Sequence, residues 1–135
     1  MKGIADTGFL VAFLSDNDRY HDWAVSIAQE QTEPFLTCES VLSEAAFHVN
    51  SSAAVLDLIH REMIEVAFDC NKHFAQLEAL AKRYADQEPD LADLCLIRMS
   101  ELHPRHKIIT IDREDFSIYR RNKREAIPLL CPPVD

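Results

Sequence analysis

The sequence predicts an α/β fold in which a parallel sheet is enclosed by helices. Three observations carry that reading. Short apolar runs alternate with longer stretches of helical periodicity. Two of the central runs end on an acid, and open α/β sheets gather their strand ends along one edge. One further stretch, residues 88–101, reads as a buried helix with two carboxylates at its mouth.

Residues 3–6 form the first strand, which stops at Asp6, and Thr7-Gly8 leads into the apolar run 9–14. A polar turn at 15–18 precedes a helix over 21–29, where Trp23, Ala24, Ile27 and Ala28 recur at helical spacing. Residues 34–37 form a second strand. Glu39-Ser40 then caps a helix to about residue 49, with Val41, Leu42, Ala45, Ala46 and Val49 inward and Glu44 at the edge of that face. Ser51-Ser52 caps the next helix, through about residue 61. Over 63–68, Ile64, Val66 and Phe68 alternate with Glu65 and Ala67 in a third strand. Residues 71–85 form a long amphipathic helix carrying Phe74, Leu77, Leu80, Ala81 and Tyr84.

Pro89 suits the first turn of the following helix, whose early amides lack partners anyway. Asp90 and Asp93 share one face of that opening turn, where the helix dipole favours negative charge. Leu91, Leu94, Cys95, Ile97 and Met99 make the remainder apolar. Residues 107–111 form a fourth strand ending on Asp112, and 127–130 a fifth. Between them runs a basic stretch, Arg120-Arg121-Asn122-Lys123-Arg124.

A length of 135 residues fits a single domain, 1–135. The chain shows no apolar run near the roughly 20 residues that span a bilayer, and no signal-like leader. The expectation is a cytoplasmic protein with no membrane partner. Four cysteines without a C-x-x-C pair point to reduced, mostly buried thiols rather than a zinc site. Six histidines form no ligand spacing, and two glycines cannot build a phosphate loop. A net charge of −9 opposes nucleic-acid binding unless divalent cations offset the acids or a local basic patch meets the polymer.

In a parallel sheet, Asp6, Asp90, Asp93, Asp112, Glu44 and Asp115 could line one pocket. An acid after a strand is often only a helix cap. Several carboxylates side by side, however, cannot all ionise without compensation, and Mg²⁺ or Mn²⁺ would supply it. Thr7 and Thr110 are placed to bond the acids or a bound water. Tyr119, Arg98, Arg113, Arg120, Arg121, Lys123 and Arg124 are candidates for contact with a nucleic-acid backbone, against the alternative of a solvated charged face. Phe9, Phe13, Trp23 and Phe47 read as core, against the alternative of a surface presented to a partner helix.

Four segments together resemble the PIN domain family, in particular the small VapC-type toxin ribonucleases. They are Ile4-Ala5-Asp6-Thr7-Gly8-Phe9-Leu10, Thr37-Cys38-Glu39-Ser40-Val41-Leu42-Ser43-Glu44, Asp90-Leu91-Ala92-Asp93, and Thr110-Ile111-Asp112-Arg113-Glu114-Asp115-Phe116. Leu94 stands where that family's third segment usually has Ala. The resemblance implies a three-layer α/β/α sandwich with a parallel sheet of four to five strands in the order 3-2-1-4-5. It implies a metal-dependent endoribonuclease whose four acids are Asp6, Glu44, Asp93 and Asp112, with Asp90 and Asp115 accessory. It also implies a homodimer and a small antitoxin partner that covers the acidic groove. The competing expectations are a catalytically inert PIN-like binding module and a phosphatase of the haloacid-dehalogenase type. The second lacks its required Asp two residues beyond Asp6, where Gly8 stands.

Overall fold

The computed structural model describes residues 1–134. Its core is a five-stranded, all-parallel sheet in the order β3-β2-β1-β4-β7, built from β1 (Gly3–Ala5), β2 (Phe35–Thr37), β3 (Ile64–Val66), β4 (Lys107–Ile109) and β7 (Leu129–Leu130). The expected order is found. The fifth strand of the sheet is the seventh in the chain because a two-stranded antiparallel hairpin, β5 (Arg120–Arg121) with β6 (Glu125–Ala126), intervenes.

β1 lies between β2 and β4, with Ile4 opposite Leu36 on one side and Ile108 on the other. Gly3, Ile4 and Ala5 are all buried, as a central strand of a covered parallel sheet requires. The connecting helices flank the sheet: α1 (Thr7–Leu14), α2 (His21–Gln29), α3 (Glu39–Val49), α4 (Ser52–His60), α5 (Cys70–Arg83), α6 (Leu91–Leu102) and α7 (Arg113–Ile118).

α6 is the most deeply sunk of them. Ala92, Leu94, Cys95, Leu96, Ile97, Met99 and Ser100 are buried, matching its nearly unbroken apolar sequence. It starts at Leu91, two residues after the Pro89 start that its sequence suggests. Asp90 is extended and caps it, its Oδ1 accepting from the Asp93 amide at 2.8 Å, so Pro89 lies outside the helix. α3, by contrast, starts earlier than expected, at Glu39, with Cys38 rather than Glu39-Ser40 in the capping position. Ser51 caps α4 as expected, through a 3.0 Å bond from the Ala54 amide. Phe9 is buried, and Trp23 and Phe13 pack against the core, but Phe47 is 81% exposed. Six residues along α3 from Val41, it lies about 120° round the helix from the buried face. The thiols also divide: Cys38 and Cys95 are buried, Cys131 is intermediate and Cys70 is exposed.

Gly3 is a packing requirement. A Cβ added there would stand 2.5 Å from Ile109 Cδ1 and 3.0 Å from Phe35 Cδ1, both in side chains that are fully buried. Gly3→Ala should therefore cost about 1–3 kcal/mol in urea unfolding, the usual range for overpacking. Ile109→Val removes the offending methyl, so the same substitution in that background should cost distinctly less. Equal costs in both backgrounds would contradict the assigned contact.

Candidate active site

The site is built where the sheet's central strands end. β1 stops at Ala5, and Asp6 both ends the strand and caps α1, its Oδ1 accepting from the Thr7 amide at 2.7 Å. The Asp6 amide bonds to Ile109 O at 3.0 Å, which locks its height against β4. Thr110, one residue beyond β4 and fully buried, donates its hydroxyl to Asp6 Oδ2 at 2.6 Å. The same hydroxyl accepts from the Asp112 amide at 2.9 Å. One threonine thus ties together two acids more than a hundred positions apart in sequence.

Asp112 caps α7, accepting from the Asp115 amide at 3.1 Å. Glu44, from the middle of α3, is reached by the Thr7 hydroxyl at 2.9 Å. Asp93 enters from the first turn of α6, and among the described residues no donor reaches its carboxylate. Asp6, Asp90 and Asp112 are helix caps, so the cap reading and the shared-pocket reading hold together. A cap bond occupies one lone pair of one carboxylate oxygen and leaves others for a ligand.

Asp6, Thr7, Glu44, Asp90, Asp93, Asp112 and Asp115 line a single open crevice of about 530 Å³. Thr110 supports it from beneath. The crevice has two further polar members that sequence reasoning missed, Asp18 and His48. His48 follows Glu44 by four residues on the same helix face, a spacing that could have flagged it. Asp18 sits in the α1–α2 loop, where its Oδ1 accepts from the Tyr20 amide at 2.8 Å, and carries no comparable signal.

Among the described lining residues there are seven carboxylates and no Lys or Arg. Burial raises the Asp6 carboxyl to about 6, against the lowering effect of Thr110 and the Thr7 amide. Burial, then repulsion from Asp90, Asp6, Asp112 and Asp115, raises Asp93 to about 7. Glu44 and Asp112 are also pushed up, in each case chiefly by desolvation. The donors are all hard oxygens with a deficit of positive charge, which fits a divalent cation such as Mg²⁺ or Mn²⁺. As the side chains stand, no three His, Cys, Asp or Glu groups among the described residues already surround one ion position.

The basic candidates do not behave as a set. Arg121 is only 5% exposed. Its guanidinium donates to Ser100 O at 3.2 Å and Pro104 O at 3.2 Å, near the carboxyl end of α6, and to Glu125 at 2.7 Å. This corrects its assignment as an RNA contact: it is a structural cation holding the hairpin to α6. Arg120 is half-buried and donates to Ser117 O and Tyr119 O. Tyr119 is buried, and Arg98 is tied to His73 and Glu101. Arg113, Lys123 and Arg124 are exposed.

The family model described as PIN domain matches residues 4–124. Among curated proteins, none matches the chain.

The raised carboxyls give a pH signature in metal-free protein. A carboxyl whose folded value exceeds its unfolded one binds its proton more tightly in the native state. Its contribution is complete below about pH 4 and is lost as pH rises through 6 to 7. His103 and His106 are lowered by burial and act in the opposite sense, equally in any variant elsewhere. With EDTA present, Asp93→Asn should gain stability over the native sequence on going from pH 5 to pH 8 in urea titrations. A difference between the two proteins that does not change with pH would contradict the raised Asp93.

Proposed function

The chain belongs to the PIN domain family, and on that premise we propose that it is an endoribonuclease dependent on Mg²⁺ or Mn²⁺. PIN domains are generally nucleases and typically use divalent metals. One observation carries the finer reading: seven carboxylates from five segments of the chain line one crevice, with no lysine or arginine among its described lining residues.

Asp6, Glu44, Asp93 and Asp112 would hold the cation, with Asp90 and Asp115 beside them. When bound, such an ion acidifies a water and offsets charge on a phosphoryl oxygen. The chain's own work is to place the donors. Thr110 fixes one oxygen of Asp6 and the backbone of Asp112, and Thr7 turns Glu44 inward. Such outer bonds orient the groups that meet a metal. Arg113, Lys123 and Arg124 would attract RNA phosphates that the acidic surface otherwise repels.

Within the family, the four matching segments support a toxin of the VapC type. On this reading the whole chain is a single domain, forms a homodimer in the cytoplasm, and is silenced by a small antitoxin that covers the acidic crevice. The inert binding-module reading has one observation in its favour, that among the described residues no three acids surround one point.

The experiment is RNA cleavage by purified protein with Mn²⁺, paired with calorimetric Mn²⁺ titration. Loss of outer hydrogen bonds to metal ligands typically costs about 10–100-fold, so Thr110→Val should weaken both cleavage and Mn²⁺ affinity within that range. Asp6→Asn and Asp93→Asn should lose more than Thr110→Val does. Cleavage that survives EDTA or either asparagine variant would contradict the mechanism. No cleavage and no Mn²⁺ binding would favour the inert module.

A further inference from the structure

A second cleft, of about 540 Å³, opens at the carboxyl ends of β2 and β3. Three of the chain's four cysteines line it, together with Glu39, Ser40, Phe68 and Asp69. Cys38 sits at the start of α3 and Cys95 in the second turn of α6; they are 1% and 2% exposed. Their thiols meet in hydrogen-bond contact. Cys70, the first residue of α5, is exposed. No thiol lines the acidic crevice, and the reaction proposed above uses none.

A pair of thiols in contact on the wall of a cleft has a chemistry of its own. The bond from Cys95, more than the Val41 and Ser40 amides of α3, holds the Cys38 thiol below its ordinary range. That favours the thiolate, which is the reactive form. The cleft admits water-sized molecules, and hydrogen peroxide is little larger than water.

We propose that Cys38 and Cys95 are an oxidation site that closes to a disulfide on reaction with a hydroperoxide. The Cys38 sulfur attacks one peroxide oxygen and the O–O bond breaks. With hydrogen peroxide this gives a sulfenic acid on Cys38 and one water. The Cys95 sulfur then attacks the sulfenic sulfur, the S–O bond breaks, and the hydroxyl leaves with the Cys95 proton as a second water. Two thiols are oxidised and one peroxide is reduced to two waters.

Closing the bond brings two sulfurs from hydrogen-bond contact to about 2.05 Å. It also tethers the start of α3 to α6, the helices that carry Glu44 and Asp93. Oxidation should therefore slow RNA cleavage. That consequence rests on the nuclease reading, whereas the site itself does not.

The test uses full-length protein carrying Cys70→Ser and Cys131→Ser, so that Cys38 and Cys95 are its remaining thiols. It is treated with hydrogen peroxide, unfolded and assayed for free thiols, and its peptides are mapped by mass spectrometry. The expected result is loss of both thiols, a linked peptide pair containing Cys38 and Cys95, and recovery with dithiothreitol. Adding Cys95→Ala, or separately Cys38→Ser, should abolish the linkage, and either variant suffices if the other does not fold. Two thiols that stay free, or linkage only between molecules, would overturn the site whatever the RNA result. A formed linkage with cleavage unchanged would overturn its coupling to the acidic crevice.

Discussion

The structure turns on one short contact, the 2.6 Å bond from the Thr110 hydroxyl to Asp6. It joins the ends of the two adjacent central strands, β1 and β4, on the edge where the following helices begin. Parallel pairing sets the heights of the strands, with Ala5 opposite Ile109. Once that register is fixed, Asp6 and Thr110 are brought side by side, and Thr110 passes the constraint to Asp112 through its amide. α3 and α6 then add Glu44 and Asp93 from above the same edge. Without this register, acids scattered over the whole chain would have no reason to meet.

What they form is poor for stability by itself. Carboxylates taken out of water and placed near one another lose hydration and repel, and both effects raise the Asp6 and Asp93 carboxyls. The fold tolerates this because three of the acids also serve as caps for the helices that begin there, satisfying amides that would otherwise lack partners. Capping and ligand placement are thus two uses of the same side chains. A sequence reader who weighs them as rivals, one acid at a time, undercounts the site.

Much of this was legible from the chain. The α2 bounds, the buried character of α6, the sheet order and the acids that gather on its edge follow from periodicity, strand-ending acids and the resemblance of four segments. The β5–β6 hairpin did not show. Its turn places Asn122 and Lys123 at positive φ, and lysine is a poor signal for that conformation where a glycine would have been a strong one. Arg121 was misread for a related reason. In a run of cations nothing local distinguishes the one that folds back onto α6 carbonyls and Glu125. Phe47 was misplaced because apolar identity was weighed above its angle on α3. Asp18 could not have been found, since its place at the crevice depends on how a loop crosses the sheet edge.

The central claim is that these carboxylates form one cation site. Its most direct test is diffraction from crystals soaked in Mn²⁺, with anomalous data collected near the manganese edge. The account predicts a peak between the Asp6 and Asp93 carboxylates that is lost in Asp93→Asn crystals. No peak there at millimolar Mn²⁺, or a peak unaffected by that substitution, would contradict it.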